Sequence, residues 1–327
     1  MNIGGTTLPR IFDVHVHYPA GFGPMGRGQE PEKTPQQRVD ELAERLHEAG
    51  VVKACLLSGT RFVGFGVTHE EAIKTMEPHR DLFVPVAVVD PGTHTPQDLD
   101  RLHGLGYRGL KIIGTAKEYD DESYFPVYGK AEELGMPILF HLGVIGGGVD
   151  YARTHPRRDP QAAEVYQQMM ERLNNPPAPG SPGAFFGGAR NVGASRMRPF
   201  HLDTIASNFP KLRLIGAHLG GTGNYDETAS VARWRHFVFF DLSGGEIIER
   251  HAMERGYIGR EIGVEKLVWG SDCRPDEILT HVRRVETMFA MLNLTPDEQE
   301  RVWYRNAAEI YRYEKPVFAG PGRPHGD

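Results

Sequence analysis

Short apolar segments alternate with longer amphipathic stretches along most of the chain, and this alternation constrains the fold more than any other feature. Segments with the composition of buried strands lie near residues 11–17, 51–57, 83–89, 109–114, 137–142, 212–218, 237–242 and 266–271. Eight strands, each followed by a helical pattern, predict an α/β fold, the (β/α)8 TIM barrel. The alternative is an open doubly wound sheet, which is disfavoured because no glycine-rich dinucleotide motif follows the first strand.

Predicted helices and one long insertion occupy much of the remaining chain. The helical spacing of apolar residues covers 37–49, 67–78, 95–105, 123–134, 200–208, 246–263, 277–292 and 296–311. Residues 144–199 break this rhythm after the fifth strand, with a candidate helix at 158–173 and a proline- and glycine-rich segment. Because long irregular insertions in compact domains usually serve a function, we expect a lid or a dimer contact here. We predict one barrel domain over 1–315 and a C-terminal tail over 316–327.

The charge balance and the apolar content argue against several classes of partner. The chain has 37 Lys+Arg and 43 Asp+Glu, a formal net charge of −6, which disfavours nucleic acid or an anionic membrane as the main partner. The sequence shows no bilayer-spanning apolar run and no signal-peptide core, so we expect a cytoplasmic location. Two cysteines provide no disulfide framework. The expected partners are a small-molecule substrate and a second copy of the chain in a homodimer.

The first strand carries two histidines two residues apart. Successive side chains of a strand point to opposite faces, so His15 and His17 are predicted to project together, with Val14 and Val16 on the other face. Two imidazoles that converge from a strand end form half of a metal site. The alternative is a half-buried strand whose polar face happens to carry two histidines, and this stretch alone does not decide between them.

Further polar side chains lie near the ends of later strands. They are Lys111 on the fourth strand, His141 on the fifth, His218 after the sixth and Asp272 after the eighth. Active sites of (β/α)8 barrels lie at the C-terminal ends of the strands, so these groups are expected to converge with the two histidines. Imidazole and carboxylate ligands suit zinc or another first-row divalent ion. Alone, Asp272 could be the N-cap of the following helix.

Four of these segments resemble the motifs of the amidohydrolase superfamily. They are Asp13-Val-His-Val-His17, Ile138-Leu-Phe-His-Leu-Gly143, Leu214-Ile-Gly-Ala-His-Leu-Gly-Gly221 and Leu267-Val-Trp-Gly-Ser-Asp272. The sequence is most similar to the amidohydrolase-related branch that includes aminocarboxymuconate-semialdehyde decarboxylase. Gly109-Leu-Lys-Ile112 and the closing Arg305-Asn-Ala307 also fit that branch, and the resemblance spans roughly residues 10–312.

The resemblance implies one divalent metal ion, zinc or alternatively manganese, held by His15, His17, His141 and Asp272. It implies that His218 is a catalytic residue close to the metal rather than an obligate ligand. In relatives with two metals a strand-four lysine is carbamylated and bridges them. Because one metal is usual in this branch, we interpret Lys111 as a structural or anion-binding residue.

Two reactions are compatible with such a site. In the first, a metal-activated water hydrolyses a small carboxylated amide or lactone. Asp272 then has a catalytic role besides binding the metal, because it accepts a proton from the water, and His218 donates a hydrogen bond to the developing oxyanion. In the second, the enzyme is a non-oxidative decarboxylase, a carboxy-lyase of a small aromatic or unsaturated acid. Arg61 and Arg274 are predicted to bind a substrate carboxylate, because arginine presents a bidentate fork. A hydratase and a non-catalytic barrel are weaker alternatives.

Overall fold

Eight parallel strands form the centre of the molecule. The computed structural model describes residues 8–19, 33–59, 67–145 and 193–313. Its strands are β1 Ile11–His17, β2 Val51–Ser58, β3 Phe83–Val88, β4 Gly109–Ile112, β5 Ile138–Phe140, β6 Leu214–Gly216, β7 Val238–Asp241 and β8 Leu267–Val268. They pair in sequence order in one sheet. Backbone hydrogen bonds from Val14 N to Trp269 O (3.1 Å) and from Asp272 N to His15 O (2.8 Å) connect the last strand to the first. The predicted (β/α)8 barrel is therefore confirmed.

Helices follow the strands around the barrel. They are α1 Pro35–Glu48, α2 His69–Met76, α3 Pro96–Leu105, α4 Phe125–Leu134, α5 Pro199–Asn208, α6 Tyr225–Trp234, α7 Gly245–Glu254, α8 Ile278–Met291, α9 Pro296–Glu300 and α10 Asn306–Ile310. Threonine begins several of them: Thr95, for example, accepts a hydrogen bond from Asp98 N while the Asp98 side chain accepts one from Thr95 N. Within the described ranges no helix is long and apolar enough to cross a bilayer.

Three stretches differ from the sequence prediction. Helix α6 was not predicted, because its buried face uses small residues such as Thr228, Ala229 and Ala232 instead of a stripe of large apolar ones. The helical prediction over 246–263 was too long: α7 ends at Glu254, and two glycines with positive φ follow it. The closing helix predicted over 296–311 is divided by a π-helical turn at Arg301–Arg305.

A long insertion separates β5 from α5, as the sequence predicts. Most of it, residues 146–192 with the candidate helix at 158–173, lies outside the described residues, as do Arg61 and the tail over 316–327. The lid or dimer role of the insertion, and the single-domain boundary, stay predictions.

A β-bulge in β1 changes which side chains face the barrel interior. The register with β2 shifts between the pairs Asp13–Ala54 and Val16–Leu56, so β1 contains one extra residue there. Val14 consequently packs in the interior cluster with Cys55, whereas Val16 packs in the cluster between sheet and helices. The prediction that Val14 and Val16 share a face was wrong, because simple alternation holds only for a strand without a bulge.

The C-terminal segment closes the end of the barrel where the strands begin. Tyr304 and Tyr311 pack against Phe12 at the start of β1, with ring centroids 6.1 and 5.6 Å away. Ala307 and Ala308 join the same buried cluster as the interior strand residues. The opposite end of the barrel, where the strands finish, is the end that carries the polar side chains.

Candidate metal centre

The polar side chains predicted from the sequence meet at the C-terminal end of the barrel. Asp272 is at their centre: its Oδ1 lies 3.0 Å from His17 Nε2 and 3.7 Å from His15 Nε2. Its Oδ2 lies 3.7 Å from His218 Nε2. Ligand atoms of His15, His218 and Asp272 all lie within 4.8 Å of one another. One carboxylate therefore faces two histidines of β1 with one oxygen and the histidine after β6 with the other.

His141 and Lys111 complete this cluster. His141 Nδ1 lies 3.2 Å from His218 Nε2, and its Nε2 is 3.3 Å from the carbonyl oxygen of Val144. Lys111 is buried inside the barrel, with its Nζ 3.2 Å from His15 Nε2. All of the predicted ligands are thus brought to one place, and Lys111 is beside them.

Two residues of β7 and its following loop support the cluster, and sequence reasoning missed both. The buried Asp241 carboxylate accepts hydrogen bonds from His15 Nδ1 (2.8 Å), the His218 backbone N–H (2.8 Å), and the Ser243 backbone N–H (3.0 Å) and hydroxyl (2.5 Å). Ser243 Oγ is also 2.8 Å from His218 Nδ1. Asp241 could have been identified from the sequence, because it is an acidic residue at the end of a strand, like Asp272.

The hydrogen bonds define which imidazole nitrogens face the cluster. His15 donates from Nδ1 to Asp241, so its Nε2 carries a lone pair, which Lys111 Nζ approaches at 3.2 Å. His141 donates from Nε2 to the Val144 carbonyl, which leaves the lone pair of Nδ1 facing His218. Lone pairs that converge in this way are what a bound cation requires.

The electrostatics of the buried groups favour neutral histidines beside ionised carboxylates. Burial, reinforced by the charge of Lys111, lowers the pKa of His15 to about 4. Burial also lowers the pKa of Lys111 to about 8. For Asp272 burial acts in the opposite direction, but attraction to the neighbouring His15 and the hydrogen bond from His17 hold the pKa of its carboxyl well below the usual range. Neutral imidazole and carboxylate are the protonation states that ligate metals.

Unusual backbone conformations position these side chains. His218 and Asp272 have positive φ values of 58° and 39°, a conformation that costs free energy in non-glycine residues and is concentrated at functional sites. A Cβ atom at Gly221 would lie 2.6 Å from Gly143 Cα, so the loops after β5 and β6 approach each other closely only because both positions are glycine.

The buried Asp13 carboxylate stabilises the bulge that presents His15. Its Oδ1 accepts hydrogen bonds from His15 N and Ser271 N, both at 3.0 Å. It therefore connects the β1 bulge to the segment that precedes Asp272.

The donor set fits a divalent metal ion. Ligand atoms that bind one ion at about 2.0–2.2 Å lie about 3–4 Å apart. The distances from Asp272 to its histidine neighbours, 3.0 to 3.7 Å, are in that range. Imidazole nitrogen with carboxylate oxygen is the ligand chemistry of zinc and other first-row divalent ions.

The predicted substrate residues are placed differently from one another. Lys111 is in the cluster, whereas the Arg274 guanidinium is half-exposed and bonded to Asp276 at 3.0 and 2.9 Å. A cavity of 230 Å³ is lined by residues that follow His141 and His218 in the sequence and by the end of the insertion. They are Gly143, Val144, Ala194, Ser195, Arg198, Thr222 and Asn224. Arg198 in this cavity is paired with Glu227.

A (β/α)8 barrel with histidines and an aspartate at its strand ends defines the chain as an amidohydrolase-type enzyme. The model of the family described as "Amidohydrolase" matches residues 12–313. The chain belongs to this family, whose members are metal-dependent enzymes, and the resemblance seen in the sequence is confirmed. No curated protein matches the sequence significantly.

Solved structures share the fold at low identity. One is described as a probable 2-pyrone-4,6-dicarboxylic acid hydrolase from Acinetobacter baumannii (TM-score 0.56, 14% identity, 93% of this chain and 99% of that chain covered). Another is 5-carboxyvanillate decarboxylase from Sphingomonas paucimobilis (TM-score 0.56, 16% identity, 93% and 99% covered). A third, from Novosphingobium aromaticivorans, is a 5-carboxyvanillate decarboxylase with bound manganese (TM-score 0.53, 14% identity, 87% and 86% covered).

Proposed function

We propose that this enzyme is a metal-dependent hydrolase of a small carboxylated amide or lactone. The observation that carries the proposal is the position of Asp272, whose Oδ1 faces His15 and His17 while Oδ2 faces His218. One oxygen can then ligate a metal while the other accepts a proton beside it. A carboxylate whose two oxygens have these separate roles is suited to activate a water molecule.

The proposed ligands are His15 Nε2, His17 Nε2, His141 Nδ1 and Asp272 Oδ1. Zinc is the first choice, because histidine nitrogens combined with a carboxylate oxygen are typical ligands of catalytic zinc sites, and manganese is the alternative. When bound, the ion supplies a Lewis acid that lowers the pKa of water and polarises a carbonyl.

The chain's own residues supply the proton transfers. Asp272 Oδ2 takes a proton from the attacking water and returns it to the leaving group. The hydrogen-bonding pattern supports a role for His218 that differs from the oxyanion donor expected from the sequence. Ser243 Oγ lies 2.8 Å from its Nδ1, and an imidazole that donates a proton there has Nε2 as a proton acceptor, 3.7 Å from Asp272 Oδ2.

A carboxylated substrate is proposed because Lys111 provides a buried cation beside His15. An ammonium group inside a low-dielectric site attracts an anion more strongly than one at the surface. Two relatives in fold have names with carboxylated substrates, a pyrone dicarboxylic acid and a carboxyvanillate. Arg61 and Arg274 remain candidates for a second carboxylate contact.

The alternative is metal-dependent decarboxylation of a small aromatic or unsaturated acid. In this reaction the carbon–carbon bond breaks, CO2 leaves, and an acid delivers a proton to the carbon that retains the electron pair. Lys111 favours it as a candidate, because a cation next to the ligands can hold a carboxylate during bond cleavage. Decarboxylases among the structures of similar fold also support it.

A parallel assay separates the two reactions. Enzyme loaded with zinc or with manganese is incubated with carboxylated lactones and amides and with hydroxylated aromatic acids. Ring opening or amide cleavage, together with CO2 release, is measured. We expect hydrolysis without CO2, abolished in Asp272→Asn; CO2 release without hydrolysis would replace the proposal with the alternative. No turnover of any substrate class by metal-loaded enzyme would contradict both.

We also propose a homodimer in which the 144–199 insertion forms a lid or a subunit contact. Light scattering of the full chain and of a variant lacking 176–192 tests this. Unchanged turnover and an unchanged number of chains per particle in the deletion variant would refute the role of the insertion.

A further inference from the structure

Ser243 lies between a buried carboxylate and the catalytic histidine. It follows β7 directly, is almost fully buried, and its Oγ lies 2.5 Å from Asp241 Oδ1 and 2.8 Å from His218 Nδ1. A weaker contact of 3.2 Å joins the same Oγ to His15 Nδ1. A hydroxyl has one proton to donate, so the direction of each contact can be worked out.

The geometry fixes that direction. Asp241 Oδ1 already accepts from the backbone N–H groups of His218 and Ser243, and these groups can only donate. This oxygen therefore acts as an acceptor, and the close Ser243 hydroxyl must give it its proton. Ser243 Oγ then has only lone pairs left for His218, so the imidazole must donate from Nδ1. The lone pair of His218 Nε2 then also faces the lone pair of His141 Nδ1 at 3.2 Å, an arrangement that is favourable only with a cation beside both rings.

We propose that Ser243 is a positioning residue that holds His218 as its Nδ1-protonated tautomer, with the lone pair of Nε2 directed towards Asp272. The catalytic consequence rests on the proposed function, whereas the tautomer does not. The chain of hydrogen bonds runs from His218 Nδ1–H to the Ser243 hydroxyl and from that hydroxyl to Asp241.

Asp241 holds the same histidine at a second point. Its Oδ1 accepts the His218 backbone N–H at 2.8 Å, which supports the positive φ of 58° at His218. The Asp241 carboxylate therefore holds the backbone of His218 directly and its ring through Ser243. Gly244 adds a steric requirement, since a Cβ there would lie 3.4 Å from His218 Nδ1 and 2.8 Å from Ile248 Cγ1.

This arrangement gives His218 a defined chemical capacity. When Nε2 takes a proton, the imidazolium that results keeps its Nδ1–H bond to Ser243, and the hydroxyl keeps its bond to the Asp241 carboxylate. The positive charge is then stabilised through a hydrogen-bonded serine instead of by direct contact with a carboxylate. Ser243 and Asp241 thus orient and stabilise the imidazole, and Ser243 keeps its own proton throughout.

The first test measures the tautomer in the wild-type protein. Zinc-loaded protein labelled with ¹⁵N-histidine is examined by NMR, and the His218 signals are assigned by their loss in His218→Gln. We expect a protonated Nδ1 and an unprotonated Nε2 at His218. The opposite tautomer would overturn the proposal.

The second test removes the hydroxyl. Ser243→Ala is expected to lose the unique Nδ1–H signal of His218 and to lower kcat about 10- to 100-fold, the usual effect of losing a group that orients a catalytic or ligating histidine. KM and metal content should change little, and Ser243→Thr, which keeps a hydroxyl, should restore the signal.

Ser58→Ala is the matched control. Ser58 is also buried at a strand end, and its hydroxyl bonds the Tyr107 hydroxyl at 2.8 Å instead of an imidazole of the cluster. It should leave the His218 signals unchanged. An unaltered His218 tautomer in folded Ser243→Ala would refute the inference, whereas the expected tautomer in wild-type enzyme without any turnover would refute only the proposed function.

Discussion

Replacing Asp241 with asparagine tests whether this carboxylate orients the metal-binding face of the cluster. In the wild-type protein it accepts hydrogen bonds through both oxygens, from His15 Nδ1 at 2.8 Å and from the backbone and hydroxyl groups of His218 and Ser243. An amide has one acceptor oxygen and one NH2 donor group. Because three of the donors converge on Oδ1, the oxygen of asparagine should remain there and its NH2 should face His15.

The size of the effect follows from that mismatch. The NH2 group would meet the Nδ1–H of His15, so His15 must change tautomer or leave a buried donor unsatisfied, at a cost of about 1–3 kcal/mol. A change of tautomer would protonate Nε2 and remove the lone pair directed at Asp272. Loss of a carboxylate behind a ligating histidine typically lowers metal affinity or activity about 10- to 100-fold.

The measurement is zinc affinity of Asp241→Asn by competition with a chromophoric chelator, together with urea unfolding. Asp13→Asn is the matched control, since Asp13 is equally buried and its Oδ1 accepts the backbone N–H groups of His15 and Ser271 instead of a histidine ring N–H. The oxygen of the control amide can remain the acceptor of these N–H groups. Equal zinc affinity in wild-type protein and Asp241→Asn would refute the reasoning.

Further predictions concern packing, pH and the buried lysine. Gly221→Ala should destabilise the protein by about 1–3 kcal/mol more than Gly223→Ala in calorimetry, because both glycines have positive φ but only Gly221 contacts a neighbouring backbone; equal losses would contradict the contact. Burial, reinforced by the charge of Arg284, lowers the pKa of His281 from 6.5 to about 4. Between these two pH values the folded protein binds fewer protons than the unfolded chain. The stability of the wild-type protein therefore falls as the pH drops from 6.5 to about 4. Urea unfolding of His281→Gln should show a shallower pH dependence there, and an identical slope would exclude this contribution. Lys111→Met should raise KM for carboxylated substrates about 10- to 100-fold with metal retained, and an unchanged KM would remove Lys111 from substrate binding.

The barrel could be predicted because its signal is periodic. Each strand is an apolar run and most helices show an amphipathic stripe, so the order of elements follows from the sequence. The exception, α6 at Tyr225–Trp234, buries threonine and alanine, which leave no strong stripe. The bulge in β1 was invisible for a different reason: it depends on the pairing with β2 and on the hydrogen bonds of Asp13, not on local sequence.

The residues of the cluster were predicted from the sequence, but the residues that hold them in place were not. His141, His218 and Asp272 could be chosen because parallel strands of a barrel place their C-terminal ends together. Ser243 and Asp241 were missed because an orienting residue has no required spacing from the histidine that it holds. Their role depends on hydrogen-bond direction, which only the three-dimensional arrangement defines.

The central claim is that one divalent metal ion is held at this end of the barrel by the β1 histidines, His141 and Asp272. The most direct measurement is metal content per chain by plasma mass spectrometry after loading with zinc or manganese. We predict one ion per chain in the wild-type protein and in His218→Ala, and none in His15→Ala. A folded wild-type protein that retains no stoichiometric metal, and whose unfolding temperature is unchanged by a chelator, would contradict the claim.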